Sequence, residues 1–169
     1  MRRLILVILL ASACASLPPR DRAVKGLQFV DSQLSAFQDA ERRVCNEAEY
    51  SKAVAAGNKL TAAITTCTGP LSEASKLTTE THQKIAGLLA EAFKLQQKAV
   101  LVLQALSAND PVPSELNDLL SKAQSIATIV AGLAGTSTQQ SLVSLANTTV
   151  TEIQKIIDQI RGREVAFAF

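Results

Sequence analysis

The sequence predicts an all-α protein: one antiparallel up-down bundle of four to five helices carrying a single disulfide. Three observations predict it. Apolar residues recur at spacings of three and four along most of the chain, the pattern of amphipathic helices, and no comparable alternation of period two occurs. Turn signals divide the pattern at a few short points, and short loops between consecutive helices favour antiparallel neighbours. Finally, Cys45 and Cys67 flank one of those turn signals.

The first helical stretch carries Ala23, Leu27, Val30, Leu34, Phe37, Val44 and Ala48 on one face, interrupted only at Glu41. It is expected to end at AAGN, residues 55–58, where Gly57 can take the left-handed helix-ending conformation and Asn58 can cap the next helix. A short helix from Leu60 to Cys67 is expected there, stopped by TGP, with Pro70 suited to the first turn of a third helix. That helix is expected to run to about Ser107, roughly 57 Å at 1.5 Å per residue. Its apolar residues are Leu71, Ala74, Leu77, Ile85, Leu88, Ala92, Phe93, Ala99, Val100, Leu103 and Leu106.

NDPVPS, residues 109–114, is the clearest break, because each proline disfavours helix in the residue before it. Ser114 can cap a helix running to about Ala134, with Leu116, Leu119, Leu120, Ala123, Ile126, Ala127, Val130 and Leu133 inward and Gly135 as its stop. Ser137 and Gln140 have capping-box spacing for a last helix, which turns Leu142, Leu145, Val150, Ile153, Ile156, Ile157 and Ile160 inward before Gly162. Residues 21–162 are thus the expected bundle and 163–169 a tail.

Along one continuous helix, Cys45 and Cys67 would lie about 33 Å apart. A disulfide needs α-carbons within about 7 Å. Either the two do not pair or the chain turns between them, and AAGN sits at their midpoint. The two signals together predict a hairpin closed by a Cys45–Cys67 disulfide in an oxidising compartment. The alternative is a pair of buried free thiols.

The chain has three cysteines, and the third, Cys14, comes directly after the features of an export signal. These are a basic start at Arg2 and Arg3, an apolar run from Leu4 to Leu10 and small residues from Ala11 to Ala13. The run is shorter than the roughly 20 residues that span a bilayer. Leu10-Ala11-Ser12-Ala13-Cys14 resembles the lipobox of bacterial lipoproteins, the alternative being a plain secretory signal cut near Ala13 or Ala15. The resemblance implies that residues 1–13 are removed, that Cys14 is lipidated and that residues 14–20 are a tether. With Ala15 as the second mature residue, it also implies the outer membrane. From Cys14 to Arg20 the chain reaches at most about 20 Å, so Arg20, Arg22 and Lys25 are expected near headgroups, or else form an ordinary solvated first turn.

The formal charge of +2 belongs to the signal: Lys and Arg total 17 against 15 Asp and Glu, and Arg2 and Arg3 account for the excess. A neutral body with no Trp and one Tyr lacks the basic footprint and stacking residues of a nucleic-acid binder. His82 is the only histidine and no Glu precedes it at Glu-x-x-His spacing, so neither a di-metal bundle site nor a histidine-based triad is expected. No Cys-x-x-Cys-His and no Gly-rich phosphate loop occurs. No catalysis, cofactor or metal is therefore expected. His82 reads as a surface residue, and Glu41, Arg42, Arg43, Glu47 and Glu49 as a solvated face.

From Ala123 to Thr151 there is no charged residue. TSTQQS in the middle of this run and Asn147-Thr148-Thr149 beyond it argue against a bilayer interior. An uncharged hairpin is poorly protected against association, and its small residues let another helix approach closely. Thr128, Ala131, Gly132, Gly135 and Ser144 are therefore the candidate interface, for a second copy or another envelope protein. The alternative is a merely polar outer face. The expected function is that of a membrane-anchored envelope lipoprotein acting as a structural or interaction module. Two further readings are a periplasmic carrier of an apolar ligand in the bundle interior and a phage-encoded envelope lipoprotein.

Overall fold

The computed structural model describes residues 19–57, 64–107, 110–133 and 137–166. Cys14, Asn58, Leu60, Ala134 and Gly135 lie outside them, and so do the signal segment and most of the tether. Every regular element among the described residues is an α-helix. In chain order these are α1 (Pro19–Cys45), α2 (Glu47–Ala55), α3 (Pro70–Ser75), α4 (Thr79–Ala105), α5 (Ser114–Ala131) and α6 (Ser137–Ala166).

Four long helices form the bundle. In the ring, α1 packs on α4, α4 on α5, α5 on α6 and α6 back on α1, while the short α2 and α3 lie against α1. The α1–α4 seam is antiparallel: Arg20 donates to the Gln104 carbonyl at 3.2 Å, Gln96 to the Leu27 carbonyl at 3.1 Å, and Glu41 meets His82 at 2.6 Å. Along α1 the partner number falls as the residue number rises. Where α6 crosses α1, Gly26 allows close approach, since a Cβ there would stand 2.9 Å from the Ile156 side chain.

The core lies along the predicted stripes. Leu27, Phe37, Ile85, Leu103, Leu116, Leu119, Leu142, Ile153, Ile157 and Ile160 are fully buried. Leu89 joins them, while Ala48 and Ala74, expected inward, are exposed. The void among Leu34, Phe37, Leu89, Ala123, Ile126, Ala146 and Thr149 is about 10 Å³, about what one water needs.

The structure corrects the helix boundaries in four places. The first stretch is two helices, because Asn46 leaves the helical conformation and caps α2 by accepting from the Glu49 amide at 3.2 Å. The expected Leu60–Cys67 helix is absent from its described part, since Ile64 to Thr68 are not helical. The expected 57 Å helix is interrupted: Gly69 (φ 112°) leads into Pro70 at the first turn of α3, and Lys76 (φ 56°) turns left-handed. Thr78 then caps α4 on the Thr81 amide at 3.1 Å. With 27 residues, α4 is about 40 Å long.

The fourth correction covers the last two helices. Ser114 is the first residue of α5 rather than its cap, a place Pro113 takes. The Ser137–Gln140 capping box does not form as expected, because Ser137 is already helical. Gln139 reaches back instead, donating to the Leu133 carbonyl at 2.7 Å and the Val130 carbonyl at 3.3 Å. Residues expected as a tail continue α6 through Gly162 to Ala166.

Candidate functional site

Glu41 lies one turn after Phe37 and precedes Val44, so it occupies a core position of α1. His82 lies one turn into α4, on the stripe that continues through Ile85, Leu89, Ala92, Gln96, Ala99 and Leu103. The seam therefore brings an acid and a base together inside the bundle. Their exposures are 1 % and 5 %. The surface position expected for His82 and the solvated one expected for Glu41 are both wrong, because each sits on an inward stripe and finds its partner across the seam.

Nδ1 of His82 is 2.6 Å from Glu41 Oε1, and Nε2 is 2.8 Å from the Ile64 carbonyl. Both oxygens accept, so the pattern is that of an imidazolium donating from both nitrogens. The hydrogen bond to Glu41 raises the His82 pKa above its ordinary value. Burial opposes this, and the Glu41 charge and the Ile64 carbonyl add to the rise, while the Arg42 charge works against it. A buried charge pair with both nitrogens satisfied is the arrangement burial demands.

The same end of the bundle carries the staple. Cys45 and Cys67 form the predicted disulfide, with α-carbons 4.3 Å apart. Around it, the Thr68 amide donates to the Cys45 carbonyl at 2.8 Å and Asn46 Nδ2 to Thr68 Oγ1 at 3.1 Å. The Cys67 amide donates to Thr79 Oγ1 at 3.0 Å. The end of α1, the segment from Ile64 to Thr68 and the start of α4 are thus tied by one covalent bond and a ring of hydrogen bonds.

The expectation of no metal-ligating cluster rests on a lone histidine. Folding adds the sulfurs: Cys45 Sγ, Cys67 Sγ and a ring nitrogen of His82 lie within 4.8 Å of one another. In the disulfide form neither sulfur is a thiolate, the form a metal ion takes. Spacing along the chain could not show this triplet. What could have pointed to it is that Glu41 and His82 are ionisable residues on otherwise apolar stripes.

The candidate interface residues lie toward the same end of the bundle, where α5 ends and α6 begins: Ser137 and Ser141 at the start of α6 share a surface pocket with Arg43 and Glu47. Thr128, Ala131, Gly132 and Ser144 are all exposed, the first three on or at the end of α5 and the last on α6. No helix of the described residues is long and apolar enough to cross a membrane. No family model matches the chain, and neither a curated protein nor a solved structure matches it.

Proposed function

We propose that this chain is a bacterial envelope lipoprotein, held in the outer membrane by a lipid on Cys14, whose helical bundle is a non-catalytic structural or interaction module. One observation carries the reading. The Cys45–Cys67 disulfide uses two of the three cysteines and leaves Cys14, directly behind the apolar run, as the odd one. The disulfide also suits an exported protein.

On this reading the bundle has a near end and a far end. Pro19, where α1 is first described, lies five residues after Cys14, a reach of at most about 18 Å. The end with Arg20 and Gln104 then faces the membrane, and the stapled tip stands about one 40 Å helix length away. The uncharged stretch between Lys122 and Glu152, with Thr128, Ala131, Gly132 and Ser144 toward the stapled end of α5 and α6, is offered to a second copy or another envelope protein. The void of about 10 Å³ among Leu34, Phe37 and Leu89 is too small for an apolar ligand between those helices.

Lipidation is tested on the N-terminal peptide of membrane-fractionated protein. Acyl mass on Cys14, and release or non-processing of Cys14→Ser, are the expected results. A mature N-terminus at Ala15 or Ser16 without an acyl group would overturn the anchor.

A further inference from the structure

The geometry points to a redox-gated metal site at the tip: when the Cys45–Cys67 bond is reduced, the two thiolates and His82 bind one zinc ion, with Glu41 orienting the imidazole from behind. The inference does not depend on how the chain is anchored.

Three observations carry it. Around a tetrahedral zinc ion, two thiolate sulfurs and an imidazole nitrogen stand roughly 3.5–3.8 Å from one another. Here the two sulfurs and one ring nitrogen of His82 already lie within 4.8 Å of one another, so the site calls for movement at the tip, where the three side chains already meet. Second, the donor set is soft, two sulfurs and one nitrogen, the type that selects zinc over magnesium or calcium. Third, the partner of His82 Nδ1 is a buried carboxylate, Glu41 Oε1 at 2.6 Å. Metal-binding histidines characteristically give their other nitrogen to such a group, which fixes the ring and raises its basicity.

With Nδ1 held by Glu41, Nε2 is the nitrogen the site would use. It now donates to the Ile64 carbonyl, three residues before Cys67. Reduction removes the covalent bond pinning Cys67 to α1 and leaves the segment held by hydrogen bonds alone, which lets the Ile64 carbonyl give way to an ion. Cys45 is fully buried and Cys67 is half-buried, so an attacking thiolate approaches at Cys67.

The chemistry balances with a dithiol reductant. Its thiolate attacks Cys67 Sγ, and the sulfur–sulfur bond breaks with its electron pair going to Cys45. The second thiol of the reductant then resolves the mixed disulfide. The reductant ends as a disulfide, and Cys45 and Cys67 end as thiols. Binding zinc displaces both thiol protons, and the proton on Nε2 leaves as the ring becomes neutral. Two protein ends carrying one cysteine each are thus held together either by a sulfur–sulfur bond or by an ion, and the fourth tetrahedral position stays open to water.

The test uses the full-length protein, reduced with a phosphine, freed of the reductant without air and titrated with Co²⁺ and then Zn²⁺. The expected result is one cobalt per chain, with the visible bands of tetrahedral geometry and a thiolate charge-transfer band, displaced by one zinc. Both thiols then resist alkylation. X-ray absorption of the zinc form should count two sulfurs and two lighter donors, one of them showing the outer-shell scattering of an imidazole. Glu41→Gln should weaken zinc binding by about 10- to 100-fold, and His82→Gln should weaken it further, with helical content tracked by circular dichroism in each. Absence of one-to-one binding by reduced protein overturns the site, and so does a first shell of sulfur without nitrogen. Equal affinity of the oxidised protein does the same. The absorption measurement on unmutated protein decides the matter even if a variant fails to fold.

Discussion

The α1–α4 seam and the α5–α6 hairpin are built from similar apolar stripes but are held in register differently. Along α1 and α4, polar ties occur at both ends and in the middle: Arg20 to Gln104, Gln96 to Leu27 and Glu41 to His82, with the disulfide beyond. In the hairpin, a polar tie sits at the turn, where Gln139 donates to the Val130 carbonyl near the end of α5 and to the Leu133 carbonyl just beyond it. Sliding α1 by one turn against α4 would leave Glu41 and His82 buried without partners, a far larger penalty than lost packing. The first seam thus has one permitted alignment written into its polar groups. Shape and the turn do that work in the hairpin.

The largest effect should come from breaking the buried pair. Removing one partner, as in Glu41→Ala, should destabilise the protein by about 3–5 kcal/mol in urea melts, because an uncompensated charge stays inside. Replacing both, as in Glu41→Leu with His82→Leu, should restore most of the loss, and failure to do so would mean the pair does more than compensate itself. The same pair predicts a pH dependence of the oxidised protein. The folded His82 pKa lies above the unfolded value of 6.5, so its stabilising contribution is complete below that value and is lost as pH rises through the folded one. The double variant should lack this alkaline loss, as thermal melts across neutral and mildly alkaline buffers would show.

Next in size is the staple. Its sequence separation of 22 residues gives about 3 kcal/mol by the loop-entropy estimate. Reduction without metal should lower the melting temperature while circular dichroism keeps the helices. Smaller still are two glycines that sharpen the contrast between packed and open seams. Gly87→Ala meets nothing within 4 Å and should stabilise α4 by about 0.5–1 kcal/mol. At Gly26→Ala, the Ile156 side chain 2.9 Å away must move, so that gain should vanish or reverse. Smallest is Thr128→Glu with Ser144→Glu, two exposed positions that should change stability by less than about 0.5 kcal/mol. The pair should nonetheless weaken self-association or crosslinked partners if the hairpin face is an interface. A monomer by sedimentation at all concentrations, with every partner retained, would remove that role.

Fold class and the disulfide were legible in the sequence because both rest on one-dimensional signals: a period of 3.6 and a turn placed between two cysteines. Breaks at Asn46 and at Lys76–Thr78 were not. Asn and Thr mark caps only when the chain actually turns there, and apolar residues continue on both sides of each. The tip cluster was hidden for another reason. On its own helix, Glu41 is a lapse in a stripe and His82 a lone polar residue. Their burial makes sense only as a pair, and the pairing belongs to the α1–α4 seam. Gln96 was missed in the same way, as a polar residue whose acceptor, the Leu27 carbonyl, lies on another helix.

The staple also has a mechanical meaning. Cys45 and Cys67 stand 4.3 Å apart at their α-carbons across 22 residues of chain, a length that would otherwise stretch to about 75 Å. A force applied between the N-terminus and α4 passes from α1 through the sulfur–sulfur bond, so the loop that includes α2 carries no load. Pulled out fully, the oxidised chain is a shorter tether than the reduced one by nearly that length, and the difference is set by covalent chemistry at the tip.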